Sequence, residues 1–376
     1  MIKRQLQNKI KEELFNGKAI VVFGPRQSGK TTMVKTIVQN LNKSVKWLNG
    51  DEADVRSFFT DATSTKLRAI VGDAQILVID EAQRITNIGL AIKLLVDNFP
   101  EIQIIATGSS SFELASKIKE PLTGRKFEHF LFPLSFAELV NHYGFLEEKR
   151  LLEHRLVFGS YPEIVNAPGK EIKYLAALSD SYLYKDILAW QNINKPEKLE
   201  LLMKGLALQL GNEVSYHELA QLTGLNSRTV ETYINILEKA FIIFRLNALY
   251  RNKRNELKKS KKIYFYDNGV RNAIINNFNM PDVRVDIGAL WENYLMSERM
   301  KYTQYNDIFL NRYFWRSRTK QEIDYIEERE GKLFAFEFKW NPKAKYRFPK
   351  IFLENYTENE VAIVNTENYY GFLGTS

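Results

Sequence analysis

The run Gly24-Pro25-Arg26-Gln27-Ser28-Gly29-Lys30-Thr31 fits the pattern G-x-x-x-x-G-K-[ST] with no mismatch. In such a loop the glycines let backbone N–H groups close around phosphate oxygens, and the start of the following helix adds its positive end. Lys30 is placed to neutralise the outer phosphates and the Thr31 hydroxyl to ligate Mg2+, with Thr32 next in the same turn, so the expected ligand is ATP with Mg2+. A glycine turn before an ordinary helix is the plainer reading. The flanks argue against it: a β-rich apolar run precedes the loop, and residues 31–41 are helix-compatible.

About fifty residues on, Ile76-Leu77-Val78-Ile79 leads into Asp80-Glu81. An apolar strand ending in two acids can bring Asp80 to the metal and Glu81 to the attacking water, as general base or orienting group. Alone the pattern is weak. Beside a phosphate loop it gains force, because both must meet at one edge of a parallel sheet. A third strand ends in Ala106-Thr107-Gly108-Ser109-Ser110, where Thr107 or Ser109 is a candidate sensor of the terminal phosphate, although Thr-Gly-Ser is also ordinary loop chemistry. Arg125, in Leu122-Thr123-Gly124-Arg125, is a candidate arginine finger for a neighbouring copy in a homo-oligomer, or a surface arginine.

A second set of chemical residues lies in the last hundred positions. Glu292 opens a helical stretch, Asp324 sits in Glu322-Ile323-Asp324-Tyr325-Ile326, and Glu337-Phe338-Lys339 closes a strand whose period of two puts Glu337 and Lys339 on one face. This set resembles the PD-(D/E)xK nuclease core. The resemblance implies Asp324 and Glu337 as ligands of a divalent metal, Lys339 positioning the water and Glu292 in support, a grouping suited to phosphodiester hydrolysis. An amphipathic edge strand gives the same alternation without chemistry. Lys343, Lys345, Arg347 and Lys350 follow, as a phosphate-facing rim or a plain soluble surface.

Between the two sets, Ser215-Tyr216-His217-Glu218 reads as a capping box, Thr223-Gly224-Leu225-Asn226 as a turn and Ser227 as the next cap. The second helix puts Val230, Ile234, Leu237 and Phe241 on one face and Arg228, Thr229 and Thr232 on the other, the plan of a helix-turn-helix with DNA as partner. Packing or switching is its alternative role. Residues 251–262 hold seven basic residues against one acid, Glu256, either phosphate contacts or a solvated loop.

The elements that must position these groups follow from texture. Residues 18–132 alternate apolar β-rich runs with helical stretches, predicting a parallel α/β sheet with strands at 18–23, 45–49, 75–79, 103–107 and 128–132. Four segments are expected: a phosphate-loop core over 1–136, a helical lid over 137–205, a winged helix-turn-helix over 206–270 and an α/β tail over 271–376. The 376 residues carry a formal charge of +8, consistent with an acidic partner. Cysteine is absent, which removes disulfides, cysteine zinc sites and thiol catalysis and fits a reducing cytoplasm. The four histidines are scattered off any metal-ligand spacing. Apolar runs such as 19–23 and 240–244 fall far short of the roughly 20 residues of a membrane span.

Together with Ile79-Asp80-Glu81-Ala82-Gln83, Phe132-Pro133-Leu134-Ser135-Phe136, Gly159-Ser160-Tyr161-Pro162, Tyr182-Leu183-Tyr184-Lys185-Asp186-Ile187 and Ile263-Tyr264-Phe265-Tyr266-Asp267-Asn268-Gly269, these motifs span nearly the whole chain. The chain resembles the prokaryotic AAA-type P-loop ATPases that end in a DUF4143 region. The resemblance implies a cytoplasmic ATPase with a helical lid, a winged helix and a restriction-nuclease-like tail. The expected function is ATP hydrolysis coupled to a DNA-engaging C-terminal half that cuts. The alternative is a nucleotide-dependent switch whose tail only binds. A metabolic kinase fits poorly with a helix-turn-helix.

Overall fold

The computed structural model describes residues 1–108, 122–180, 195–250 and 261–375. Ser109, Ser110, the Tyr182–Ile187 motif and the basic residues 251–260 lie outside the described residues. The chain divides into two compact units: residues 1–134 with 239–241, and residues 135–238 with 242–376.

The first unit is built on a five-stranded parallel sheet. Its strands are β1 (Ala19–Phe23), β2 (Val45–Asn49), β3 (Ile76–Asp80), β4 (Gln103–Gly108) and β5 (Lys126–Phe130), in the order β2-β3-β4-β1-β5. The three central strands are buried along their whole length, matching sequences that are apolar but for Asp80, Gln103 and Thr107. The outer strands β2 and β5 mix Lys46, Lys126 and Glu128 with apolar residues and are partly exposed. Four expected strands agree to within a residue. The fifth begins and ends two residues early; Leu131 still gives its N–H to the Phe23 carbonyl (2.7 Å), and Pro133 has no N–H with which to continue.

The second unit holds a seven-stranded mixed sheet. Its strands are β6 (Glu213–Val214), β7 (Ile243–Ala248), β8 (Lys261–Phe265), β9 (Asn311–Arg316), β10 (Glu322–Arg329), β11 (Lys332–Lys339) and β12 (Asn359–Asn365), in the order β12-β11-β10-β9-β7-β8-β6. The helix-turn-helix and the tail therefore share one sheet. They join where β7 pairs parallel to β9, with Asn247 opposite Tyr313 and Ala248 opposite Phe314. The described helices from Phe136 to Asp180, most of them within the segment 137–205 expected as a lid, fall in this unit too.

Two glycine-bearing motifs explain how those helices are held. Asp267 caps the helix Asn268–Ile274 by accepting from Val270 N (3.1 Å), and it also accepts from Ser160 N (2.7 Å). Gly159, at φ +72°, lies so close that a Cβ there would fall 2.0 Å from Asp267 Oδ1; one on Gly269 would fall 2.1 Å from the Phe158 carbonyl. Asn272 gives Nδ2 to the Leu156 and Val157 carbonyls (3.2 and 2.8 Å), and Asn293 bonds both the N–H and the C=O of Phe265.

The two helices expected as a helix-turn-helix are Tyr216–Thr223 and Ser227–Lys239, preceded by the helix Pro196–Leu208 and β6 and followed by β7 and β8. Ser215 caps its helix by accepting from Glu218 N (3.3 Å), but Glu218 pairs with Gln209 Nε2 (3.4 Å) rather than with Ser215 N as a capping box requires. The next cap is Asn226, not Ser227: Asn226 Oδ1 accepts from Thr229 N at 2.8 Å. Asn and Ser cap about equally well, so the shift by one residue follows from turn geometry rather than from preference. Val230, Ile234 and Leu237 are buried as expected. Phe241 does not extend their stripe. It lies past the helix end at φ +59° and packs edge-on against Phe130 (5.9 Å) in the first unit.

Candidate functional site

Parallel pairing brings the C-terminal ends of β1, β4 and β3 to one edge of the first sheet. The loop after β1 carries Gly24 to Gly29; Arg26 and Gln27 are exposed at its tip, and Gly24, Pro25 and Ser28 are buried beneath. A Cβ on Gly24 would fall 2.1 Å from the Leu131 carbonyl, so this position admits no side chain. Gly29, at φ +94°, turns the chain into the helix Lys30–Gln39. Lys30 Nζ donates to the Gly24 and Pro25 carbonyls (2.9 and 2.7 Å), folding back over the loop. Thr31 begins the helix beside Lys30, and its hydroxyl donates to Asp80 Oδ2 (2.9 Å). From the intervening strand β4, the Thr107 hydroxyl donates to Asp80 Oδ1 and accepts from Glu81 N (3.3 Å). Lys30, Thr31, Asp80, Glu81 and Thr107 thus lie at one sheet edge; Thr32, next on the helix, is exposed.

Three supporting residues were not read from the sequence. Gln83 Nε2 donates to Glu81 Oε2 (2.5 Å), which fixes the carboxylate. Gly50 lies under the Glu81 backbone, where a Cβ would come 2.4 Å from the Glu81 carbonyl. Arg4 is buried and gives Nη1 to the Ser28 carbonyl and Nη2 to that of Phe132, both at 2.6 Å, so the N-terminal segment braces the loop. Only Gln83 carried a signal, its place in Asp-Glu-Ala-Gln. Arg125 lies away from these groups. Its carbonyl accepts from Ala19 N at the opposite end of β1 and its guanidinium pairs with Asp97 (2.6 Å), so it is not part of this chain's own loop site.

In the second unit, sheet and helix bring the other predicted residues together. Asp324 on β10 accepts from Phe338 N (2.8 Å), and Glu337 on β11 pairs through Oε1 with Lys339 Nζ (2.6 Å). Glu292, on the helix Ile287–Tyr305, accepts from Tyr264 OH (2.5 Å) and from Lys262 Nζ (3.0 Å). Lys262, expected as part of the basic run, is instead 1% exposed and also pairs with Glu322 (2.5 Å). Burial alone would lower its pKa, but Glu292, Asp324 and Glu322 outweigh that and hold it above the ordinary lysine value. Burial, then the charges of Glu292 and Glu337, push the Asp324 carboxyl well above its ordinary range. Burial also raises Glu337, against the pull of Lys339. Lys343, Lys345, Arg347 and Lys350 are exposed.

Residues 16–140 match the model of an AAA domain, residues 149–280 a domain of unknown function (DUF8612) and residues 287–374 another (DUF4143). The chain joins an AAA domain to a DUF4143 domain. It is 25% identical over 349 residues to an uncharacterized protein of Mycobacterium tuberculosis, covering 90% of this chain and 74% of that one. A Haemophilus influenzae protein, also uncharacterized, is 26% identical over 68% of each chain. Among solved structures, the Walker-type ATPase PABY2304 of Pyrococcus abyssi superposes with a TM-score of 0.52 at 14% identity, over 73% of this chain and 96% of that one. That likeness concerns the fold of a P-loop ATPase. No helix among the described residues is long and apolar enough to cross a membrane.

The AAA domain's residues fit a nucleotide with Mg2+. Ser28 Oγ is fully buried with no hydrogen-bond partner among the described residues, an orphan donor inside the loop that would face phosphate. Thr31 and Asp80 offer the hydroxyl and carboxylate oxygens that Mg2+ takes alongside phosphates and waters. The DUF4143 domain's acids do not fit a metal in the same way. No three His, Cys, Asp or Glu side chains among the described residues are grouped to hold an ion, and an ammonium lies between Glu292 and Glu322.

Proposed function

We propose that the AAA domain binds ATP with Mg2+ and hydrolyses it, and that the nucleotide state governs a DNA-engaging C-terminal half. The observation that carries this reading is the convergence of the Thr31 and Thr107 hydroxyls on Asp80, at the edge where Lys30 folds over the loop. In this reading Gly24, Gly29 and the loop backbone cradle the phosphates, and Lys30 leaves its carbonyl partners for the terminal ones. Thr31 and Asp80 would hold Mg2+, which offsets phosphate charge when bound. Glu81, held by Gln83, orients or deprotonates the attacking water, and Thr107 links Glu81 to Asp80.

The order helix, strand, helix, helix, strand, strand, with sheet order β6-β8-β7, supports a winged helix, whose exposed Arg228 and following basic segment suit phosphate contacts. For the tail, the geometry favours binding without metal-dependent cutting, because Lys262 is already paired with the acids. One experiment tests both halves. ATP turnover and nucleotide affinity are measured for the wild type, Glu81→Gln and Lys30→Ala, and Mg2+-dependent plasmid nicking for the wild type and Asp324→Ala. Glu81→Gln should lose about a hundredfold or more in kcat while keeping affinity, and Lys30→Ala should lose both. Wild-type turnover in Glu81→Gln refutes hydrolysis at this site, and nicking abolished by Asp324→Ala refutes the non-cutting tail.

A further inference from the structure

We infer that Lys262 is the resident cation of the acidic centre in the DUF4143-bearing unit, occupying with its side chain the place where a divalent metal would otherwise be bound. The inference rests on the non-cutting reading of the tail and is independent of the nucleotide site.

The argument begins with strand alternation. Lys262 and Tyr264 share one face of β8 and both reach Glu292, so the pair is built toward the acids rather than toward solvent. The Lys262 ammonium lies over the Phe314 ring (5.4 Å to its centre), between Glu292 Oε1 and Glu322 Oε1. A lysine buried to this degree persists as a cation only where carboxylates compensate it, and here it has two in direct contact and Asp324 close by.

The carboxylates are correspondingly engaged. Glu292 Oε1 accepts from both Lys262 and Tyr264, Asp324 Oδ2 from the Phe338 N–H, and Glu337 Oε1 from Lys339. A divalent ion needs several oxygens at close to ideal geometry, and it repels an ammonium that shares its ligands. One atom points to latent ligand capacity. Glu337 Oε2 is buried and makes no hydrogen bond among the described residues, on a residue 5% exposed whose carboxylate also lies near the Tyr346 hydroxyl. Removing the Lys262 charge would leave Glu292 and Asp324 without their cation beside that oxygen, a deficit of positive charge that a divalent cation would fill.

The test uses the full chain with Asp80→Asn in every arm, so that any bound ion lies outside the AAA site, and Mn2+ as the probe, read by loss of its free EPR signal and by thermal shift. The background chain should show neither saturable binding nor a Mn2+-dependent melting shift below millimolar concentration. Adding Lys262→Met should create one site per chain, roughly tenfold tighter or more, and Asp324→Asn should abolish it. Should Lys262→Met fold poorly, Mn2+ should restore its melting transition. Two results overturn the inference: one equivalent of Mn2+ bound by the background chain and lost with Asp324→Asn, or a Lys262→Met chain, folded or not, that Mn2+ neither binds nor rescues.

Discussion

Glu81 sits in the left-handed backbone region at φ +50°, a conformation that costs a non-glycine residue about 1 kcal/mol or more and persists only when neighbours enforce it. Thr107 takes its N–H, Gly50 leaves room for its carbonyl, and Gln83 holds its carboxylate. In the proposed reaction Gln83 is thus a positioning residue. Gln83→Ala should lower kcat roughly tenfold to a hundredfold with KM little changed, checked by steady-state ATPase assays beside Gln83→Glu. Asp286 offers a test in pH. Burial would raise its carboxyl, but hydrogen bonds from Arg284 and Arg271 outweigh this and lower it from 3.8 to about 2. A depressed folded-state pKa means that this stabilisation is fully present above the unfolded value and is lost as pH falls through the folded one. The difference in urea midpoint between wild type and Asp286→Asn should therefore be full at pH 5 and shrink as pH falls from about 4 towards 2. At this scale the loop and the paired acids stand out in the sequence because holding a phosphate chain and its metal would dictate residue type and spacing. Lys262 does not: its burial depends on Glu292 and Glu322, 30 and 60 positions along the chain, and locally it reads as one more base in a basic run.

Elements were legible where local chemistry decided them. Central strands of the first sheet read true because burial on both faces demands unbroken apolar runs, and Ser215 read true as a cap because its hydroxyl meets an N–H three residues on. The reading failed where a neighbour competed, as when Asn226 took the cap from Ser227 or Phe241 left the helix for another core. The Gly-Ser-Tyr-Pro and Tyr-Asp-Asn-Gly motifs marked a family without showing a role. Their role is the joint at Asp267, where one carboxylate holds the turn before one helix and the cap of another. Asp267→Ala leaves the buried N–H groups of Ser160 and Val270 without acceptors and should cost about 2–4 kcal/mol. Chemical denaturation followed by fluorescence would measure this, and a loss under 1 kcal/mol, read as roughly no effect, would count against the joint.

The whole molecule shows what no local pattern reveals: the helix-turn-helix and the tail are welded by a short parallel ladder between β7 and β9. Leu249 N extends it by donating to the Phe314 carbonyl (2.7 Å). Removing the residues after 310 would strip β7 of this partner and leave Ile243–Ala248 as an open apolar edge, a template for pairing with other chains. Such a truncation should elute as soluble aggregate on size exclusion, whereas a well-behaved monomer would show the ladder to be dispensable.

That weld also bears on heredity. The stretch matched as DUF8612 ends at residue 280 and the DUF4143 stretch begins at 287, yet adjacent strands of a single sheet lie on either side of the gap. A recombination event at that seam would hand each descendant half a sheet with a raw margin. The two segments should therefore be inherited together, and a lineage keeping only one must have found another strand to close the wound.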